Sequence, residues 1–113
     1  MEHSLGKLKG NFSDNNLILN KLLDTCHNHS LSVIKTTFHN FSPQGYTAVI
    51  LLAESHLSIH TYPEDQIAHV DLFCCNPDIC TKTVLETLAG YLSAEVVEMQ
   101  VVKRDNDNYS WRQ

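Results

Sequence analysis

No stretch of this chain approaches the ~20 consecutive apolar residues that a bilayer-spanning helix needs. Helical insertion into a membrane is therefore not expected. The opening MEHSLGKLKG also lacks the basic flank, long apolar core and small-residue cleavage site of a secretory signal, so a cytoplasmic protein with mostly reduced cysteines is expected. Basic residues are scarce: 8 Lys and Arg against 13 Asp and Glu leave a formal net charge of -5. Sequence-independent binding to nucleic acid needs a basic surface to release counterions from phosphates, so nucleic acid is not an expected partner. A cationic small molecule suits the balance better.

The 4 cysteines show none of the paired spacings that announce a zinc site. CCNPDIC places Cys74, Cys75 and Cys80 adjacent and five apart, so no metal is expected. Cys26 and Cys80 read as small apolar core residues on helices. Low-complexity segments, charge blocks and Gly/Ser linkers are absent too, which leaves residues 1–113 as a single domain with one modest core. A larger active site would have to be shared between chains.

What is present is a regular alternation of apolar patterns. Residues 5–12 read as a first strand. Leu19, Leu22, Leu23 and Cys26 form an apolar helical stripe, with Ser13 or Asp14 placed to cap it. LSVIKTTFHNF alternates as a strand does, SPQG supplies a turn, and the continuous run YTAVILLA predicts a buried central strand. SIHTY and QIAHVDLFCC predict two further strands around a turn at Pro63, Glu64 and Asp65. A second helix carries Val84, Leu85, Leu88, Tyr91 and Leu92 on one side after the starting signals Asn76, Pro77 and Asp78. EVVEMQVVKR is a last strand, followed by a polar tail. With too few helices to cover both faces of a sheet, the expected fold is α+β: a two-layer sandwich of a mostly antiparallel sheet with two helices on one face.

The chemistry concentrates in LLAESHLSIHTYPE, residues 51–64, where an apolar strand runs into Glu54, Ser55 and His56 and then a second histidine, His60. Period-two geometry puts His56, Ser58, His60 and Tyr62 on one face, and Ile67, His69, Asp71, Phe73 and Cys75 on one face of the next strand. Cys75 thus faces a site while Cys74 points away. Nothing in the sequence assigns His56 or His69 more than packing or hydrogen bonding.

AESHLSIHTYPE followed by VDLFCC, with TTFHNF and YTAVILLA upstream, closely resembles the processing and active-site region of the bacterial and archaeal S-adenosylmethionine decarboxylases. The resemblance implies a proenzyme that cuts itself between Glu54 and Ser55, giving a β chain of residues 1–54 and an α chain of residues 55–113. Ser55 would become a covalent pyruvoyl group, which does the work of pyridoxal phosphate through a Schiff base with the substrate amine. By the same resemblance His60 is the processing base, Thr47 a supporting hydroxyl and Cys75 the proton donor of turnover. Glu64 would bind the ribose hydroxyls and Phe41 would stack on adenine. A homodimer of αβ units is implied as well, without a metal.

The match weakens at the N-terminus, where LGKLKGNFSDNN has no histidine and carries Asn11 near an expected acid. Loss of that carboxylate would weaken attraction for a sulfonium substrate. Three readings follow: a decarboxylase of S-adenosylmethionine that makes the aminopropyl donor for spermidine; a pyruvoyl-dependent arginine or ornithine decarboxylase; or an uncleaved relative acting as a binding or regulatory subunit.

Overall fold

The computed structural model describes residues 1–103, and the expected polar tail lies outside them. The elements are β1 (Glu2–Lys9), α1 (Asn15–Asn28), β2 (Val33–Asn40), β3 (Tyr46–Leu52), β4 (Ser55–Tyr62), a 3-10 turn (Pro63–Asp65), β5 (Ile67–Cys74), α2 (Thr81–Tyr91) and β6 (Glu95–Lys103). The strands form one 6-stranded sheet in the order β2-β3-β4-β5-β1-β6. Every neighbouring pair is antiparallel, so the expected α+β architecture holds, with no parallel pair among the described strands.

Alternation decides which face is covered. Tyr46, Ala48, Ile50 and Leu52 of β3, Leu57 and Ile59 of β4, and Ala68, Val70 and Leu72 of β5 share one core with Ile18, Leu22 and Cys26 of α1 and Val84, Leu85 and Leu88 of α2. Both helices therefore cover the same face. The opposite face carries Thr47, His60, His69 and Asp71 and has no helix over it among the described residues. YTAVILLA is accordingly not a strand buried on both sides: Leu51, which points to the open face, is 47% exposed.

Helix α1 starts where the Asp14 carboxylate accepts a hydrogen bond from the Leu17 N–H at 3.0 Å, a cap worth about 1 kcal/mol. Its buried stripe is Ile18, Leu22, Thr25 and Cys26, with Leu19 and Leu23 only partly buried. The stripe is thus rotated toward Ile18 from the expected one.

Helix α2 differs more. It begins at Thr81, not at Asn76–Asp78, which form a local turn through the Asp78 N–H and Asn76 Oδ1. Its capping group comes from β1: Glu2 Oε1 accepts from the Thr81 N–H at 2.8 Å and the Thr81 hydroxyl at 2.7 Å. These bonds hold the Glu2 carboxyl below its ordinary value. Cys80 consequently sits at the cap position and is exposed, not in the core. Strand β1 also starts earlier than expected, at Glu2, because Glu2 through Lys9 pair in full with Cys74 through Ile67. It stops at Gly10, where a side chain would meet the Ala94 Cα at 3.3 Å.

Candidate active site

Ser55 is the first residue of β4 and enters it with φ 157°. The preceding turn is tied to the start of β2 by two bonds. The Ala53 N–H donates to the Ser32 carbonyl at 2.9 Å, and the Ser32 N–H donates to the Glu54 carboxylate at 3.0 Å. That carboxylate fixes the residue on the amino side of the expected scissile bond, and Ser32 is a partner that sequence patterns did not reveal.

The main-chain carbonyl oxygen of Glu54 receives two donors from one residue. The Cys75 N–H lies at 3.1 Å and the Cys75 Sγ–H at 3.0 Å. Oxyanion stabilisation in acyl transfer needs donors about 2.7–3.1 Å from where the developing oxyanion will stand, and these two already reach the oxygen of the unreacted carbonyl. The carbonyl so held is the one that the Ser55 hydroxyl must attack if the chain cuts itself. Cys75 is exposed while Cys74 is buried, as alternation predicts, and burial pushes the Cys74 thiol up.

A second group stands further along the same strand. Thr47 on β3 lies directly opposite His60 on β4, and the Thr47 hydroxyl is 3.0 Å from His60 Nδ1. Phe41 and Glu64 occupy the turns at this end of the sheet. The Phe41 N–H donates to the Gly45 carbonyl at 2.9 Å, and Gly45 accommodates the φ of 111° that this turn requires. Phe41 is 52% exposed beside the His39 ring, and Glu64 is exposed in the 3-10 turn.

An extended strand rises about 3.3 Å per residue, so His60 stands roughly 16 Å from Ser55 within one chain, and Tyr62, two residues before Glu64, roughly 23 Å. The structure therefore joins Glu54, Ser55 and Cys75 at one end of β4, and Thr47, His60, Phe41 and Glu64 toward the other. It does not join the two groups.

Between them the open face holds a cleft of about 650 Å³ lined by Lys7, Ser58, His60, His69, Asp71 and Glu98 among others. Glu54, Ser55 and Cys75 are not in its lining. Beside it, Asp71 Oδ2 lies 2.9 Å from His3 Nε2 and 3.4 Å from His56 Nε2, while the Ser58 hydroxyl donates to Asp71 Oδ1. Burial pushes the Asp71 carboxyl up, but the bonds from Ser58 and His3 and the nearby His56 outweigh it and hold the group below the ordinary aspartate value. Alternation predicted that His56 and Ser58 share a face of their strand; that Asp71 of the next strand joins them was not predicted. Nothing in the sequence pointed to His3, which comes from 68 positions away.

No helix among the described residues is long and apolar enough to cross a membrane.

Comparison with known proteins gives a consistent result. A family model described as S-adenosylmethionine decarboxylase matches residues 6–105. The S-adenosylmethionine decarboxylase proenzyme of Acidithiobacillus ferrooxidans is 35% identical over 92 residues, covering 81% of this chain and 69% of that protein. The proenzyme of the same name from Methanococcus vannielii is 41% identical over 75 residues, covering 66% of this chain and 60% of its own length. The crystal structure of the adenosylmethionine decarboxylase from Aquifex aeolicus superposes with a TM-score of 0.80 at 31% identity, covering 91% of this chain and 88% of that one. On this match over nearly the whole described length, the chain belongs to the S-adenosylmethionine decarboxylase family, whose members are pyruvoyl-dependent carboxy-lyases made as proenzymes.

Proposed function

We propose that this chain cuts itself between Glu54 and Ser55 and then decarboxylates S-adenosylmethionine, supplying the aminopropyl donor for spermidine synthesis. The observation that carries the reading is the pair of Cys75 donors on the Glu54 carbonyl oxygen. A hydrogen-bonded carbonyl is more electrophilic, and charge that develops on its oxygen during attack meets donors already in place.

The maturation steps balance without any external oxidant. Ser55 Oγ adds to the Glu54 carbonyl carbon, the C–N bond breaks, and the Ser55 nitrogen leaves as a free amine while an ester forms. Loss of the Ser55 α-proton to a base then expels the Glu54 carboxylate. Water hydrolyses the resulting enamine, in its imine form, to release ammonia and leave a ketone. Histidine 60 is the base, and the Thr47 hydroxyl 3.0 Å from its Nδ1 orients the ring.

The pyruvoyl carbonyl, once formed, supplies the electron sink for departing carbon dioxide. The residues around Ser55 fit such a group, with Cys75 positioned to donate a proton on one side of it. In turnover Cys75 delivers that proton to the substrate carbon. Glu64 accepts from the ribose hydroxyls and Phe41, free of core packing, stacks on the adenine.

These roles require a second copy. His60 is roughly 16 Å from Ser55 in its own chain, too far for proton transfer. A two-fold partner running antiparallel across the open face brings the partner's His60 to Ser55, and makes the working unit an (αβ)2 dimer. Leu5 and Leu51, 40% and 47% exposed on that face, support burial there.

The exposed Phe41 and Glu64 favour a nucleoside substrate over arginine or ornithine, which offer neither a base to stack nor vicinal hydroxyls. Intact mass of the denatured protein, followed by measurement of carbon dioxide released from each of the three substrates, tests the reading. Two fragments meeting at 54 and 55 and release from S-adenosylmethionine are expected. A single uncut, inactive chain would overturn it in favour of a binding or regulatory subunit.

A further inference from the structure

We propose that His3, His56 and Asp71 form a binding site for a divalent transition-metal ion of the zinc class. The three residues come from adjacent strands in the order β4-β5-β1. His3 on β1 and His56 on β4 both stand opposite Phe73 of β5, whose ring touches each imidazole at centroid distances of 5.6 and 6.2 Å. Both imidazoles then lean along their strands toward the same oxygen of Asp71, two residues back on β5.

The distances suit an ion. The histidine nitrogens lie 2.9 and 3.4 Å from Asp71 Oδ2, and all three donor atoms fall within 4.8 Å of one another. With metal–ligand bonds of about 2.0–2.1 Å, neighbouring ligands of a tetrahedral site are separated by about 3.3 Å. Small side-chain movements therefore admit the ion without shifting a strand.

The chemistry of the donors selects the class. Two imidazoles and one carboxylate suit zinc, cobalt or ferrous ions, whereas calcium and magnesium prefer oxygen donors alone. Asp71 is further held by Ser58, whose hydroxyl donates to Oδ1 and leaves Oδ2 directed at the histidines, the kind of outer contact that orients a ligating carboxylate. All three ligands are partly buried.

Cysteine spacing could not have shown this site, because it contains no cysteine. His56 directly follows Ser55 in the chain, yet none of the three ligands is among the residues assigned to cleavage and turnover. If the chain is processed as proposed, His3 belongs to one fragment and His56 with Asp71 to the other, so the ion would tie the two together. Binding itself does not depend on cleavage.

The untagged full chain and its uncut Ser55→Ala variant are stripped with a chelator and titrated with Co²⁺. Visible ligand-field absorption and metal content are read on both proteins. One equivalent per chain with a saturable visible band is expected in each. His3→Ala and Asp71→Asn should abolish the band, with His56→Gln as a further variant and circular dichroism to verify the fold. Ser58→Ala should weaken binding by about 10- to 100-fold. His27→Ala, on the exposed side of α1, should leave it unchanged. Absence of stoichiometric binding, or a band that survives in folded His3→Ala and Asp71→Asn, would overturn the site.

Discussion

The two ends of β4 are built from the same strand and differ in almost every other respect. At its start Ser55 follows a turn pinned by Ser32, and the Glu54 carbonyl is gripped by Cys75 from the end of β5. At its far end the groups are exposed: His60 meets the Thr47 hydroxyl, and Phe41 and Glu64 stand on turns. The first end fixes both the side chain and the carbonyl of one residue, Glu54. The second offers groups suited to a ligand or a second protein surface. Because β4 is extended, its two ends stay apart within one chain, which is why the proposed function completes the chemistry with a second copy.

Removing the reacting atom at the first end should have the largest effect. Ser55→Ala has no hydroxyl to form the ester, so intact mass should show one uncut chain and carbon dioxide release should fall to background. Its thermal unfolding should stay within about 0.5 kcal/mol of the parent, because the side chain supports no core contact. A cut chain in this variant would remove Ser55 as the nucleophile.

Combining lesions from opposite ends breaks the comparison more sharply. Cys75→Ala and Glu64→Ala chains should each form poorly active homodimers. Co-expressed, they form heterodimers in which one site carries both lesions and the other carries neither. With random pairing, half of the dimers have one sound site of two, so about one quarter of the parent activity should return. A site contained within one chain predicts no recovery. Activity of tag-selected heterodimers decides between the two.

The sequence made the chemistry legible and left the distances hidden. A motif from Glu54 to Glu64 reads as one cluster because its residues are neighbours in the chain. In an extended strand those neighbours are drawn out over more than 20 Å, by about 3.3 Å per residue. Alternation, a local property, correctly separated Cys74 from Cys75 and grouped His56 with Ser58 on one face of β4. The errors arose where a distant element supplied the deciding group. Asn76–Asp78 carried good local signals for a helix start, yet the Glu2 carboxylate caps α2 at Thr81 and leaves Cys80 in solvent. The Thr83 hydroxyl, 3.2 Å from its sulfur, lowers the Cys80 thiol below its ordinary value, whereas burial pushes Cys26 up to about 11. Two cysteines read alike from the sequence are therefore opposites in the fold. The His3 contact with Asp71 was equally illegible, since it depends on β1 inserting between β5 and β6.

The smallest expected effect concerns Asn11, at the same end of the sheet as Glu64. The Gly10 N–H donates to the Gln66 carbonyl at 2.9 Å, which sets Asn11 beside the turn that carries Glu64. Its side-chain oxygen accepts from the Ser13 N–H at 3.0 Å and the Ser13 hydroxyl at 2.7 Å. Asn11→Asp keeps both acceptor roles, so the turn should persist while the far end of β4 gains a negative charge. That charge is exposed and screened over about 8–10 Å, which limits its attraction for a sulfonium to about 0.5 kcal/mol, or roughly twofold. KM for S-adenosylmethionine should fall by about half at low ionic strength, kcat should stay constant, and the difference should vanish in high salt. Carbon dioxide release measured against substrate at two salt concentrations reads all three. An unmoved KM would place the sulfonium away from this turn, and a changed kcat would bring position 11 into the reacting centre, erasing the division between the two ends.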